Sequence, residues 1–145
     1  MTLDYHPPNL SDWLERLEAS GYRRTEPRTA IAQVVAESHR TLSPIEVYDL
    51  ARADHPKIGL VTVYRTLEKL EELGLIARVH QSDGCNGYIA APSGHQHLLI
   101  CQDCGRTEYF SGDNLVDLVS NVEAQSGYTV ESHWLQLSGY CANCR

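Results

Sequence analysis

The chain has 145 residues, 42% of them hydrophobic, and a formal net charge of -7. That length supports one domain or two small ones with packed cores, and no apolar run approaches the ~20 residues that a membrane helix needs. The acidity excludes indiscriminate binding to nucleic acid but not a local basic face: ten of the twelve Lys and Arg residues fall within residues 1–91 and two within residues 92–145.

The first eight residues carry no basic side chain and no apolar stretch. They do not read as a secretory signal, so the expected location is the cytoplasm, where thiols stay reduced. Residues 10–20 predict a first helix capped by Ser11, with Trp13, Leu14 and Leu17 as its apolar stripe and Gly21 as its end. Thr25-Glu26-Pro27-Arg28 opens a second helix, with Pro27 at the first helical position and Ile31, Val34 and Val35 inward. Ser43-Pro44-Ile45-Glu46 opens a third, which runs to about Ala53 before His55-Pro56 breaks it. A fourth lies within residues 59–74, with Thr62 as cap, Val63, Leu67, Leu70 and Leu73 buried, and Gly74 closing it. Residues 75–81, a turn at Ser82-Asp83-Gly84 and residues 85–90 read as a β-hairpin.

Helices followed by a hairpin predict a winged helix-turn-helix over residues 1–91. Pro92-Ser93-Gly94 reads as a hinge. Beyond it come short strands at 97–100 and 107–110, and a helix at 113–125 with Leu115, Leu118, Val119 and Val122 inward. Residues 128–138 alternate like a strand. The expected class is α/β (α+β), with a small α/β domain at residues 95–145.

Cys101-x-x-Cys104 and Cys141-x-x-Cys144 each let two thiolates approach one ion from a single turn, and two such turns complete a tetrahedron of soft ligands suited to a structural Zn²⁺. Such a closed site leaves no position for substrate. With no nucleophile-base constellation and no phosphate loop, no enzyme and no small-molecule substrate are expected. On the fourth helix, Thr62, Tyr64, Arg65, Thr66 and Lys69 lie away from the leucine stripe and offer groups suited to base edges and phosphates of a double-stranded operator. Arg23, Arg24 and Arg28 cluster ahead of the second helix. Small helical DNA modules usually bind as dimers, because half-sites repeat about one turn apart.

Gly59-Leu60-Val61-Thr62-Val63-Tyr64-Arg65-Thr66-Leu67 resembles the recognition-helix signature of ferric-uptake-regulator (Fur) family repressors. His95-x-His97 before Cys101-x-x-Cys104-Gly105, then His133 and Cys141-x-x-Cys144, resembles the rest of that pattern. The resemblance covers nearly the whole chain. It implies a homodimeric metal-responsive repressor, with Tyr64 and Arg65 on the operator and Arg23 and Arg28 at backbone or minor-groove contacts.

The sensing site departs from the pattern. His97 stands four residues before Cys101, where typical members place a histidine three before, and Glu108 stands seven after, where they place an acid eight after. The preserved spacing of His97 and Glu108 implies a shifted cysteine turn with His95, His97 and Glu108 kept as ligands. Strict counting from Cys101 instead groups His95 and His97 with His133 in a second site, whose acidic partner falls at Val116; Asp113 or Asp117 is a substitute there. The histidine expected near the third helix falls at Thr41, with His39 a weak substitute, and the acid expected before the hinge falls near Ile89.

Cys85 and His80 are what this chain offers at the hinge, and an Asp83-Gly84 turn pairing Ser82 with Cys85 would put both on one face. A thiolate with imidazoles favours Zn²⁺ over Fe²⁺ or Mn²⁺, and the zinc-sensing branch of the family (Zur) characteristically uses a Cys in this region. The expectation is therefore a regulatory Zn²⁺ at Cys85, His95, His97 and either Glu108 or His80. The alternatives are an iron or peroxide sensor of the same family, with Fe²⁺ or Mn²⁺ bound, and a zinc-stabilised protein-interaction adaptor.

Overall fold

The computed structural model describes residues 8–81, 84–92, 94–112 and 115–145. The first seven residues, Ser82 and Asp83 of the predicted turn, Ser93 of the predicted hinge and Asp113 lie outside them. Among the described residues ten elements follow in order: α1 (Leu10–Ala19), α2 (Glu26–Ala36), α3 (Pro44–Arg52), α4 (Leu60–Glu72), β1 (Ile76–His80), β2 (Asn86–Ala90), β3 (His97–Cys101), β4 (Thr107–Phe110), α5 (Leu115–Ser126) and β5 (Gln136–Gly139).

The helix starts follow capping chemistry. Thr25 caps α2, and Ser43 and Glu46 form a reciprocal capping box on α3. Two expected caps are corrected. Asn9, not Ser11, caps α1, because its side chain accepts from the backbone N–H groups of Ser11 and Asp12. The chain turns helical directly after extended Gly59, so Thr62 lies inside the first turn of α4, which has no side-chain cap. Pro27 is the second residue of α2 rather than the first. Gly74, at φ +71°, ends α4 in a conformation that a side chain would strain.

The expected hairpin register is also corrected. His80 pairs with Asn86, and the Gln81 N–H donates to the Cys85 carbonyl at 3.0 Å. Cys85 therefore stands opposite Gln81, not Ser82, and a shift of one residue moves His80 to the other face of the hairpin. The two faces of this hairpin have separate duties. Ile76, Tyr88 and Ala90 join the helical core built on Ile31, Val35, Val47, Val63, Leu67 and Leu70. Ala77, Val79 and Ile89 join a second core with Leu98, Ile100 and Tyr109.

The second sheet has the order β4-β3-β5, with β3 antiparallel to β4 and parallel to β5. Of the predicted 128–138 strand only residues 136–138 pair, and the strand continues to Gly139, because the β3–β5 ladder runs from Leu98↔Gln136 to Cys101↔Gly139. The stripe expected to point inward on α5 stays outside: Leu118 is 57% and Val122 46% exposed. No residue of α5 is buried within the single chain.

Candidate metal centres and nucleic-acid surface

The two Cys-x-x-Cys turns meet. Cys101 ends β3 and Cys141 follows β5, so the parallel pairing of those strands carries the C-terminal turn alongside the first. The Sγ atoms of Cys101, Cys104, Cys141 and Cys144 all lie within 4.8 Å of one another. Cys104 and Cys141 are 3.8 Å apart, and a tetrahedron with Zn–S bonds of ~2.3 Å has edges of ~3.8 Å. Backbone N–H groups of Cys104 and Cys141 hold the Cys101 thiol down to about 6. The hydrogen bond to Cys141 leads the effects that push Cys144 up.

His95, His97 and His133 form the other cluster among the described residues, with ligand atoms again within 4.8 Å. Their ring centroids are 4.9–5.3 Å apart. His97 is only 4% exposed, at the start of β3 against Phe110, while His95 and His133 are open to solvent. This matches the grouping given by strict counting from Cys101.

The expected hinge set is not brought together. His80 and Cys85 occupy opposite faces of the hairpin. Glu108 lies opposite Leu99, two positions along from His97, and pairs with Arg106 at 3.1 Å. Neither Glu108, Cys85 nor His80 belongs to a ligand cluster among the described residues. Thr41 and Ile89 are both buried. Val116, at the expected acid position, is exposed. Sequence alone could not reveal which histidine pairing wins: Glu108 shares the face of His97 and Leu99, and the difference is the parallel pairing of β3 with β5, which brings His133 to His95 and His97.

On α4, Tyr64 and Arg65 are exposed and Thr62 is half-buried. Thr66 is corrected as a surface group: it is fully buried and its hydroxyl donates to the Thr62 carbonyl at 2.7 Å, because it sits on the inner edge of the Val63–Leu70 stripe. Lys69 pairs with Glu72 at 3.3 Å. Arg23 and Arg24 are exposed. Arg28 lies over the Tyr22 ring at 3.8 Å and donates to the Arg23 carbonyl, so it fixes the basic turn from behind. Val61, not singled out in the sequence, is 62% exposed beside these groups; its place opposite the leucine stripe was the available signal.

Comparison with known proteins gives one consistent picture. The ferric uptake regulator family model matches residues 19–138. The ferric uptake regulation protein of Bacillus subtilis (strain 168) is 34% identical over 134 residues, covering 90% of this chain and 90% of that protein. The zinc uptake regulation protein of Mycobacterium tuberculosis (strain CDC 1551 / Oshkosh) is 31% identical over 129 residues, covering 89% and 99%. The solved structure of the Helicobacter pylori ferric uptake regulator superposes with a TM-score of 0.75 at 23% identity over 97% of both chains, a likeness of fold.

Proposed function

The chain belongs to the ferric uptake regulator family and is a metal-responsive, DNA-binding transcription regulator rather than an enzyme, and we propose that the metal it measures is zinc. The observation that carries this reading is the donor chemistry: among the described residues one cluster is all cysteine, the other all histidine, and neither contains a carboxylate. Thiolate and imidazole suit Zn²⁺, whereas Mn²⁺ accepts carboxylates readily and Fe²⁺ sites commonly include one. The zinc uptake relative supports the same reading.

In this account Cys101, Cys104, Cys141 and Cys144 hold a permanent structural Zn²⁺. It would clasp the C-terminus to β3. His95, His97 and His133 hold the exchangeable regulatory ion, a role that replaces the hinge set built on Cys85. The repressor works as a cytoplasmic homodimer in which residues 1–91 bind DNA and residues 95–145 dimerise. Leu118, Val122, Leu99 and Leu137 supply exposed apolar surface for the second copy. Tyr64, Arg65 and Thr62 read the operator while Arg23 and Lys69 hold phosphates.

Metal analysis before and after mild chelation tests the two-site reading. About two zinc ions per chain should fall to about one, and His133→Ala protein should start at about one. Loss of both ions together, or none, contradicts it.

A further inference from the structure

The segment that joins α2 to α3 is itself paired on both edges. On one edge the Leu42 N–H donates to the Tyr88 carbonyl at 2.9 Å, and the Tyr88 N–H returns a bond to the Leu42 carbonyl at 2.7 Å. On the other edge the Thr41 N–H donates to the Gly105 carbonyl and the Thr107 N–H to the His39 carbonyl, each at 3.0 Å. These bonds frame two antiparallel bridges, Leu42 with Tyr88 and Arg40 with Arg106. Successive residues of an extended chain aim their backbone groups to opposite sides, so residues 39–42 act as a short bridging strand. It connects the two sheets in the order β1-β2-bridge-β4-β3-β5.

Three segments meet on the Thr41 side chain. It is 1% exposed, and its hydroxyl accepts from the Gln81 side chain of the wing at 2.9 Å. Its other neighbour is the cysteine turn: a Cβ on Gly105, which holds φ +72°, would stand 3.2 Å from the Thr41 hydroxyl oxygen. Only a glycine lets that turn come so close in this conformation. The Gly105 N–H donates to the Cys101 carbonyl at 3.0 Å while its own carbonyl takes the Thr41 N–H, so one residue ties the cysteine turn to the bridging strand. The strand runs directly into Ser43, the cap of α3. Val47 and Ala51 of α3 share one core with Val63 and Leu67 of α4, the helix that carries Tyr64 and Arg65.

We infer that Thr41 is a positioning residue for operator binding: with Gln81 and Gly105 it favours the arrangement in which the bridging strand seats α3 and α4 against the cysteine turn, and this seated arrangement is the one that regulatory zinc selects. In the competing arrangement the strand leaves β4. Zinc shifts the balance because it binds the seated arrangement better. Removing the Thr41 hydroxyl contact moves the same balance the other way, so more zinc is needed to reach the same occupancy. The seated arrangement itself is unchanged, so affinity for DNA at saturating zinc is kept. The inference rests on the reading of this chain as a zinc-dependent operator binder.

The test is a fluorescence-anisotropy titration of the full-length protein holding its cysteine-site zinc, on a duplex selected from a random library, over a range of buffered free Zn²⁺. Thr41→Val should raise the free zinc at half-maximal binding by about three- to tenfold, the worth of one hydrogen bond. Its dissociation constant at saturating zinc should stay within about twofold of the parent's. Thr41→Ser, which keeps the hydroxyl, should restore the parent midpoint. Gln81→Met removes the donor from a half-buried site and should shift the midpoint in the same direction, which keeps the test open if Thr41→Val does not fold. Hydrogen exchange of peptides covering residues 37–43 should be faster in these two variants than in the parent at sub-saturating zinc and equal at saturation. A zinc midpoint that neither variant moves overturns the inference, as does a loss of affinity at saturating zinc as large as the midpoint shift, or a Thr41→Ser protein that behaves like Thr41→Val. If the parent binds DNA without regard to zinc, the zinc reading fails instead. Thr41 is then judged by direct affinity: a loss of about three- to tenfold in Thr41→Val that Thr41→Ser restores keeps its positioning role, and no loss overturns it.

Discussion

His97 shows how one residue's setting decides a site. Burial against Phe110 restricts its ring, and the two exposed histidines complete the cluster around it. A His97→Ala protein should lose the exchangeable ion and, in the presence of zinc, bind operator DNA at least about tenfold more weakly while keeping its structural ion; calorimetric zinc titration and a gel shift check both halves. Its neighbour Leu98 faces the other way and is fully buried. Leu98→Ala should cost about 2–4 kcal/mol in urea unfolding, the usual range for an emptied leucine site. The four-cysteine cluster was legible in sequence because the spacing alone brings each pair to one point. The histidine grouping was not, because spacing left two registers open and only the long-range pairing of β3 with β5, which brings His133 to His95 and His97, separates them. Cys85 misled for a related reason: its expected role depended on a hairpin register set at a turn, and slipping by one residue reverses every face.

At the scale of elements, all five helices were readable from the sequence, whereas the side on which a neighbour covers them was not always so. Ser43 and Glu46 start α3 by a purely local exchange of hydrogen bonds. Ser43→Ala should lower unfolding stability by about 1 kcal/mol. Partial burial raises the Glu46 pKa, but the Ser43 N–H and the Arg40 guanidinium outweigh it and hold the carboxyl below its ordinary value. Its contribution to stability is therefore present above the usual carboxylate range and fades as pH falls through the lowered value. With the side chain 42% exposed, solvent screens much of it. Glu46→Gln should thus slightly flatten the acid limb of stability, read as urea midpoints from about pH 7 to pH 3. The α5 stripe was correctly apolar but wrongly expected to face inward: periodicity marks a surface that wants cover without saying whether the same chain supplies it.

For the whole molecule, an acidic chain with its basic residues gathered in the first 91 positions fits a DNA reader that avoids indiscriminate binding. The helical domain, the hairpin and the C-terminal sheet form three layers that share the hairpin as their middle, each of its faces filling a different core. That continuity was hidden from the sequence, where Pro92-Ser93-Gly94 suggested a loose hinge. The central claim is that zinc at the histidine cluster licenses DNA binding. Its most direct test is a fluorescence-anisotropy titration on a duplex selected from a random library, using protein that holds only its structural ion, at controlled free Zn²⁺, Fe²⁺ or Mn²⁺. Zinc should restore binding at the lowest free concentration, and His133→Ala should abolish the response. Restoration by iron or manganese at lower free concentration than zinc, or binding indifferent to every metal, would contradict it.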